Sequence, residues 1–365
     1  MFDSIYKGKK VIVTGHTGFK GAWLTSWLLK LGANVTGISI DAPTNPSLFE
    51  VLNLQNKIQH YHQDVRNLEG LKKIILEEKP DFLFHLAAQS IVSKSYENPI
   101  DTFSTNGMGT AHVLESLRHL ENDCVAIMIT SDKCYDNVEW VWGYKETDTL
   151  GGKDVYSGSK SVAEMVFRSY YFSFFKNHKY VKIASARAGN VIGGGDWAKD
   201  RIVPDCMKAW SLKQAVEIRS PNATRPWQHV LEPLSGYLNL AQDLYLQNTL
   251  HGESFNFGPK SEHSHAVEKL LKDLSTYWHF KNERDAFIVT DQIKFHEAGL
   301  LKLNCDKALF HLKWLPTLNY EQLIKFTSKW YFDYYNTDTD IWELTLNQIE
   351  EYENIALEKQ LQWIA

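Results

Sequence analysis

Cysteine is scarce in this chain of 365 residues: four stand at Cys124, Cys134, Cys206 and Cys305, with no C-x-x-C pair and no histidine at metal-ligand spacing. That excludes a disulfide scaffold and a zinc module, and implies free thiols in a reducing cytoplasm. No apolar run approaches the roughly 20 residues that cross a bilayer, so no membrane is expected as a partner. The opening stretch MFDSIYKGKK is polar and runs straight into a strand, which argues against a signal peptide. Long Lys/Arg blocks are missing and the net charge is −5, which speaks against nucleic acid. No histidine cluster argues for a metal, and His60 and His62 read as surface or satisfied groups. Internal repeats and low-complexity tracts are absent as well.

Apolar residues make up 44% of the chain and charged residues 23%, the balance of a globular enzyme. Twelve tryptophans suit ring-stacking pockets, but a large core accounts for more of them. Strand-like runs at Val11–Val13, Asn34–Ile40, Phe82–Leu86, Val125–Ile129 and Val181–Ala186 alternate with helical stretches at Leu71–Glu78, Gly109–His119 and Ser159–Phe175. This alternation predicts an α/β fold, a doubly wound parallel sheet of Rossmann type covered on both faces. After about Asn190 prolines and glycines break the pattern, and helices are expected at Leu234–Leu246 and Glu321–Tyr334. The expected organisation is a dinucleotide-binding domain over 1–190, with 231–257 returning to it. A smaller substrate-binding region takes 191–230 and 258–345, and 346–365 forms a C-terminal helix or tail.

Between the first strand and the first helix lies Thr14-Gly15-His16-Thr17-Gly18-Phe19-Lys20-Gly21. Its glycines permit a tight turn, and the N–H groups of the following helix face an anion such as a pyrophosphate. Asp41 follows the second strand, where a carboxylate accepts from a ribose and repels a 2′-phosphate, which favours NAD over NADP. Asp64-Val65 follows the third strand, within reach of an adenine. Leu86-Ala87-Ala88-Gln89 ends the fourth strand with small residues beside the cofactor.

Tyr-x-x-x-Lys occurs at Tyr6/Lys10, Tyr156/Lys160 and Tyr277/Lys281, and only the second copy opens a helix after the fifth strand. There the two side chains share a face, and Lys160 is expected to lower the phenol pKa so that Tyr156 takes a hydroxyl proton. The same ammonium holds the nicotinamide ribose. The fifth strand ends in Thr130-Ser131-Asp132-Lys133, at the edge where such sheets bind ligands. Ser131 is placed to bond the reacting hydroxyl. Asp132 and Lys133 set an acid beside a potential base, which hydride transfer does not need and elimination of water does.

The Gly-rich turn, Leu86–Gln89, Ser131 and Tyr156/Lys160 resemble the extended short-chain dehydrogenase/reductase family. Longer strings are similar to its nucleotide-sugar 4,6-dehydratases that act on CDP-sugars: Thr130–Asp136, Trp142-Gly143-Tyr144, Gly189–Ala198, Asp200–Pro204 and Arg225–Val230. The resemblance covers about the first two-thirds of the chain. It implies NAD, a nucleotide-sugar partner (CDP-glucose), deoxysugar synthesis for surface polysaccharide, and a homodimer or homotetramer built on Thr110–His119 and Ala163–Phe175. In it Tyr156 deprotonates the sugar 4-hydroxyl, Lys133 removes the C5 proton and Asp132 protonates the departing 6-hydroxyl. Related thymidine-diphosphate enzymes carry Asp-Glu where this chain has Asp132-Lys133. For Lys133 to act, desolvation and nearby Lys160 must strip its proton. Asn106 and Thr130 fall on the cofactor side. Asn190, Arg201 and His229 face the nucleotide-sugar, and Arg219 and Arg225 suit its pyrophosphate. Val155, Gly158 and Gly107 depart from the family pattern and are expected to loosen the site. A nucleotide-sugar 4-epimerase, a dehydratase for another nucleotide-sugar and a non-catalytic NAD sensor remain the alternatives.

Overall fold

The computed structural model describes residues 2–218, 220–259, 264–280, 282–290 and 300–364. Val11 and Val13 point to one core and Ile12 to another, the period-2 signature of a strand buried on both faces. That strand is β1 (Lys10–Thr14), flanked by β2 (Asn34–Ser39), β3 (Gln59–His62), β4 (Phe82–His85), β5 (Cys124–Ile129) and β6 (Val181–Ala188). Among the described residues they form a seven-stranded parallel sheet, completed beside β6 by the strand Ser254–Phe257. From that strand the order runs β6, β5, β4, β1, β2, β3, so the chain reverses direction between β1 and β4. In such sheets ligands bind in the crevice outside the strand ends at this reversal.

Helices cover both faces, as a doubly wound sheet requires. α1 (Phe19–Lys30) and the helix Leu231–Leu246 pack on one, and Leu68–Glu78, Gly109–Leu117 and Val155–Tyr170 on the other. The Val155–Tyr170 helix starts earlier than its apolar pattern suggests, because Asp154 caps it by accepting from Ser157 N (2.9 Å). The chain continues from it into a π turn, Tyr171–Phe175.

Beyond β6 the strands are short. Val191–Ile192 pairs with Gln228–His229, Thr224–Pro226 with Ser264–Ala266, and Val216–Ile218 with Phe287–Val289. Aromatic side chains from this region and from α1 pack together. Trp23, Trp27, Trp197, Trp210, Trp314, Trp330 and Trp363 are fully buried, while Trp142 is exposed. Tryptophan in this chain is thus chiefly a core residue. The last long helix runs Ile341–Glu358, starting before position 346 because Asp340 caps it. Glu353 on that helix accepts from Trp27 Nε1 (2.8 Å) and pairs with Lys30 (2.7 Å), which braces α1 from behind. Among the described residues no helix is long and apolar enough to cross a membrane.

Candidate active site

The turn after β1 is built by close approach. Gly15 sits at φ +75°, and a Cβ there would stand 2.6 Å from Ala87 N. A Cβ on Gly21 would stand 2.2 Å from the Gly15 carbonyl oxygen, so only glycine lets α1 rise directly from the turn. Ala87 N donates to Thr14 Oγ1 (3.2 Å), which locks the tips of β1 and β4 together. Thr17 shares a hydrogen bond with Ser39 (2.7 Å) and so joins the turn to the end of β2. α1 begins at Gly18 with no side-chain cap, which leaves its first N–H groups for an anionic ligand. The Phe19 ring packs into the core, so that residue offers its backbone.

Asp41 lies two residues past β2, its side chain 93% exposed beside His62 Nε2 (3.2 Å). Asp64 is held by a forked pair with Arg66, whose guanidinium keeps the carboxyl below its usual range. Val65 is a packing residue against the face of Gly109, and its carbonyl accepts from His112.

At the other end of the crevice the groups are buried. Ser131 ends the β5 segment, accepts from Lys133 N (3.2 Å) and donates to Asp132 Oδ1 (2.9 Å). Asp132 is buried against Gly189, where a Cβ would stand 3.3 Å from Oδ2. Burial pushes its carboxyl up, against the pull of Lys133, Ser131 and Lys20. Lys133 is half-buried on the same turn. Tyr156 and Lys160 face this group from the first turns of their helix, both buried.

Here the expected electrostatics need correction. Burial raises the Tyr156 phenol to about 12, and the groups that favour its phenolate are Ser131 and Arg201, not Lys160. The Lys160 ammonium acts instead, through its charge, on His85 and Lys20. Burial lowers it to about 8, and among the described residues it has no hydrogen-bond acceptor. Arg201 ties to Asp196 (2.8 Å); burial opposes its charge, but the Asp196 charge and hydrogen bond, with Tyr156 and Tyr331, together raise the guanidinium above its usual range.

Other expected site residues fall elsewhere. Asn106 is spent as a clamp: Oδ1 accepts from Gln89 N (2.8 Å), and Nδ2 donates to the Gln89 carbonyl (3.0 Å) and to Ser159 (2.8 Å). It therefore positions the β4 loop rather than facing a ligand. Thr130 gives its hydroxyl to Glu164. His229 is fully buried between Trp23 and Phe326, with burial holding it neutral at about 3, so it is a core residue behind the site. Asn190 is exposed next to Gly189. Arg225 is half-buried on the Thr224–Pro226 ribbon, and Arg219 lies outside the described residues. Of the departures, Gly107 does not loosen the site. A Cβ on Gly107 would stand 2.8 Å from Val162 Cγ1, so the glycine lets the two helices close.

Sequence reasoning placed Lys20 on the phosphate turn but missed that its amine enters the acid–base group. Burial, then the charges of Lys160 and Arg201, draw it down to about 7, against Asp132. It also missed His85, held between Thr14 (2.7 Å) and Thr110 (3.3 Å), and the buried pair Glu164–Arg187 (2.7 Å). A charge inside the strand-like run ending near Ala186 was the available signal for Arg187.

The family model for GDP-mannose 4,6 dehydratase matches residues 12–327. The CDP-glucose 4,6-dehydratase of Salmonella typhimurium is 47% identical over 332 residues, 90% of this chain and 92% of that protein. Among solved structures, epimerase Mth375 from Methanothermobacter thermautotrophicus superposes at TM-score 0.77 with 22% identity, covering 95% of this chain and 96% of that one. A dTDP-glucose 4,6-dehydratase from Streptomyces venezuelae, crystallised with NAD, gives 0.74 at 18% identity, covering 89% and 97%. A match from the first strand to the helix Tyr320–Asn336, on a sheet with the Tyr156/Lys160 helix at its crevice, leaves one conclusion: the chain belongs to the GDP-mannose 4,6 dehydratase family.

Proposed function

We propose that this enzyme is a hydro-lyase that uses NAD to convert CDP-glucose into CDP-4-dehydro-6-deoxyglucose and water. The observation that carries the chemistry is a buried Asp132, its carboxyl pushed toward the protonated form, on the same turn as Lys133 and opposite Tyr156. The kinship with the Salmonella typhimurium enzyme supports the cytidine nucleotide.

The residues present suit the dinucleotide. The uncapped N–H groups of α1 meet a pyrophosphate, exposed Asp41 meets a ribose diol, and the Lys160 ammonium, without an acceptor among the described residues, meets the second ribose. When bound, NAD supplies a hydride acceptor for sugar C4 and a donor for C6.

Tyr156 takes the proton of the 4-hydroxyl, with Ser131 bonded to the same oxygen. With a phenol near 12, this step depends on positive charge brought close, and Arg201 already faces the ring. The C4 ketone acidifies the C5 proton, which Lys133 removes. Asp132 gives its proton to the 6-hydroxyl, which leaves as water. Arg201 and Asn190 face the nucleotide-sugar, and Arg225 with Arg219 takes its pyrophosphate. We further assign a homodimer or homotetramer. Val162, Met165, Phe172 and Phe174 stand exposed along the Tyr156 helix and its π turn, whereas Tyr170 packs inward. Free, largely buried thiols accord with a cytoplasmic enzyme.

The test is incubation with CDP-glucose and separately with UDP, dTDP and GDP sugars, read by the alkali-induced absorbance of a 4-keto-6-deoxy sugar and by product mass. Loss of water from CDP-glucose alone supports the assignment. Loss of water only from another sugar overturns the cytidine, and a product of unchanged mass overturns the dehydration.

A further inference from the structure

The chemistry above leaves the buried carboxylate of Glu164 unused. Glu164 follows Lys160 by four residues and Tyr156 by eight, so the three share a face of one helix. Its side chain is 1% exposed. Its carboxylate accepts from Thr130 Oγ1 just past β5, from Arg187 Nη2 (2.7 Å) and Ser185 Oγ (3.1 Å) on β6, and from Ser254 Oγ (3.4 Å) on the edge strand. A single side chain therefore joins the helix carrying Tyr156 and Lys160 to the strand end that leads into Ser131, Asp132 and Lys133.

We propose that Glu164 is a positioning residue for the reaction: it fixes the Tyr156 helix against the Ser131–Lys133 turn and supplies the negative charge that Lys160 faces. This rests on the roles given above to Tyr156 and Lys160.

The surroundings of Lys160 single out Glu164. From α1 it faces Lys20, a cation. His85 on β4 is held neutral at about 3. Cys134, on the turn after β5, acts on Lys160 too, but burial raises its thiol well above the ordinary range and leaves it uncharged where Lys160 titrates. Tyr156 on the same helix is a neutral phenol, raised to about 12. Of the acids on neighbouring helices, Asp101 pairs with Arg66 and Glu115 with Arg118. Asp132 acts on Lys20 and Tyr156. Burial opposes ionisation of Glu164 itself, yet the Arg187 charge and the hydrogen bonds hold its carboxyl below the usual range. Glu164 is thus the ionised acid that pushes Lys160 back up toward its charged form.

The experiment is the pH dependence of kcat/KM for CDP-glucose with NAD-loaded, full-length enzyme, in wild type, E164Q, E164D, E164Q/R187M and K160M. Lys160 is charged below about 8 and loses its proton above, so wild-type activity falls as pH rises through that region. Without the Glu164 charge the ammonium is easier to discharge, and the alkaline limb of E164Q moves down by about one unit, with kcat reduced and KM little changed. E164D retains a carboxylate and brings the limb back. Adding R187M removes the cation that E164Q strands in the core. It restores the melting temperature but not the limb, and carries the comparison where E164Q alone fails to fold. An E164Q or E164Q/R187M limb at the wild-type position overturns the proposal. K160M with wild-type kcat overturns the role of Lys160 itself, which separates the two failures.

Discussion

The two ends of the crevice carry similar residue types in opposite surroundings. At the catalytic end Asp132, Tyr156 and Lys160 are each less than a tenth exposed. At the adenosine end the Asp41 side chain is 93% exposed and its neighbour His62 63%. Water screens the second group, so it acts through simple contact. The first has exchanged water for protein. Charges there interact strongly, and four ionisable groups are displaced: Asp132 upward, Tyr156 to about 12, Lys160 down to about 8, Lys20 to about 7. In the proposed function, chemistry belongs to the dry end, and affinity for the cofactor's distal half to the wet one.

Substitutions test that contrast in order of size. Tyr156→Phe removes the proton acceptor but not the ring, and kcat is expected to fall by about 10²- to 10⁴-fold with little change in KM, measured by steady-state keto-sugar formation. Lys133→Met is expected to slow solvent deuterium incorporation at C5 by about 100-fold, read by mass spectrometry; exchange at the wild-type rate would assign the C5 base to another group, such as Lys20, an amine lowered to about 7. At the exposed end Asp41→Asn is expected to raise the KM for NAD by less than about tenfold and leave kcat alone, because its hydrogen bonds compete with water. Smallest of all, Arg66→Ala breaks a part-exposed ion pair with Asp64 and should cost less than about 1 kcal/mol in urea unfolding, with activity intact. A loss at Arg66 as large as that at Tyr156 would erase the distinction between the ends.

Much of this was legible in the chain. The order of strands and helices through the first half follows from apolar runs of the right length, and Gly15, Gly18 and Gly21 mark the turn, where the structure adds that Gly15 is crowded by Ala87. The Tyr156/Lys160 pair was selected from three copies by its place after β5 alone. Which groups the Lys160 charge acts on was not legible, because helical spacing shows that two residues share a face and not which of several charges each meets. Asn106 and His229 were read as ligand-facing from the strings around them, and both are consumed by internal packing. Helix starts at Val155 and Ile341 came earlier than apolar periodicity suggested, since Asp154 and Asp340 provide the caps.

The sequence by itself determined the doubly wound sheet, the position of the dinucleotide turn and the identity of the acid, phenol and amine at the strand ends, because those follow from local periodicity and from backbone geometry that only glycine allows. Only the tertiary structure decided how those groups are charged. Protonation depends on burial and on neighbours brought from far along the chain, such as Lys20 beside Asp132 and Arg187 beneath Glu164, and no spacing in the sequence encodes those distances.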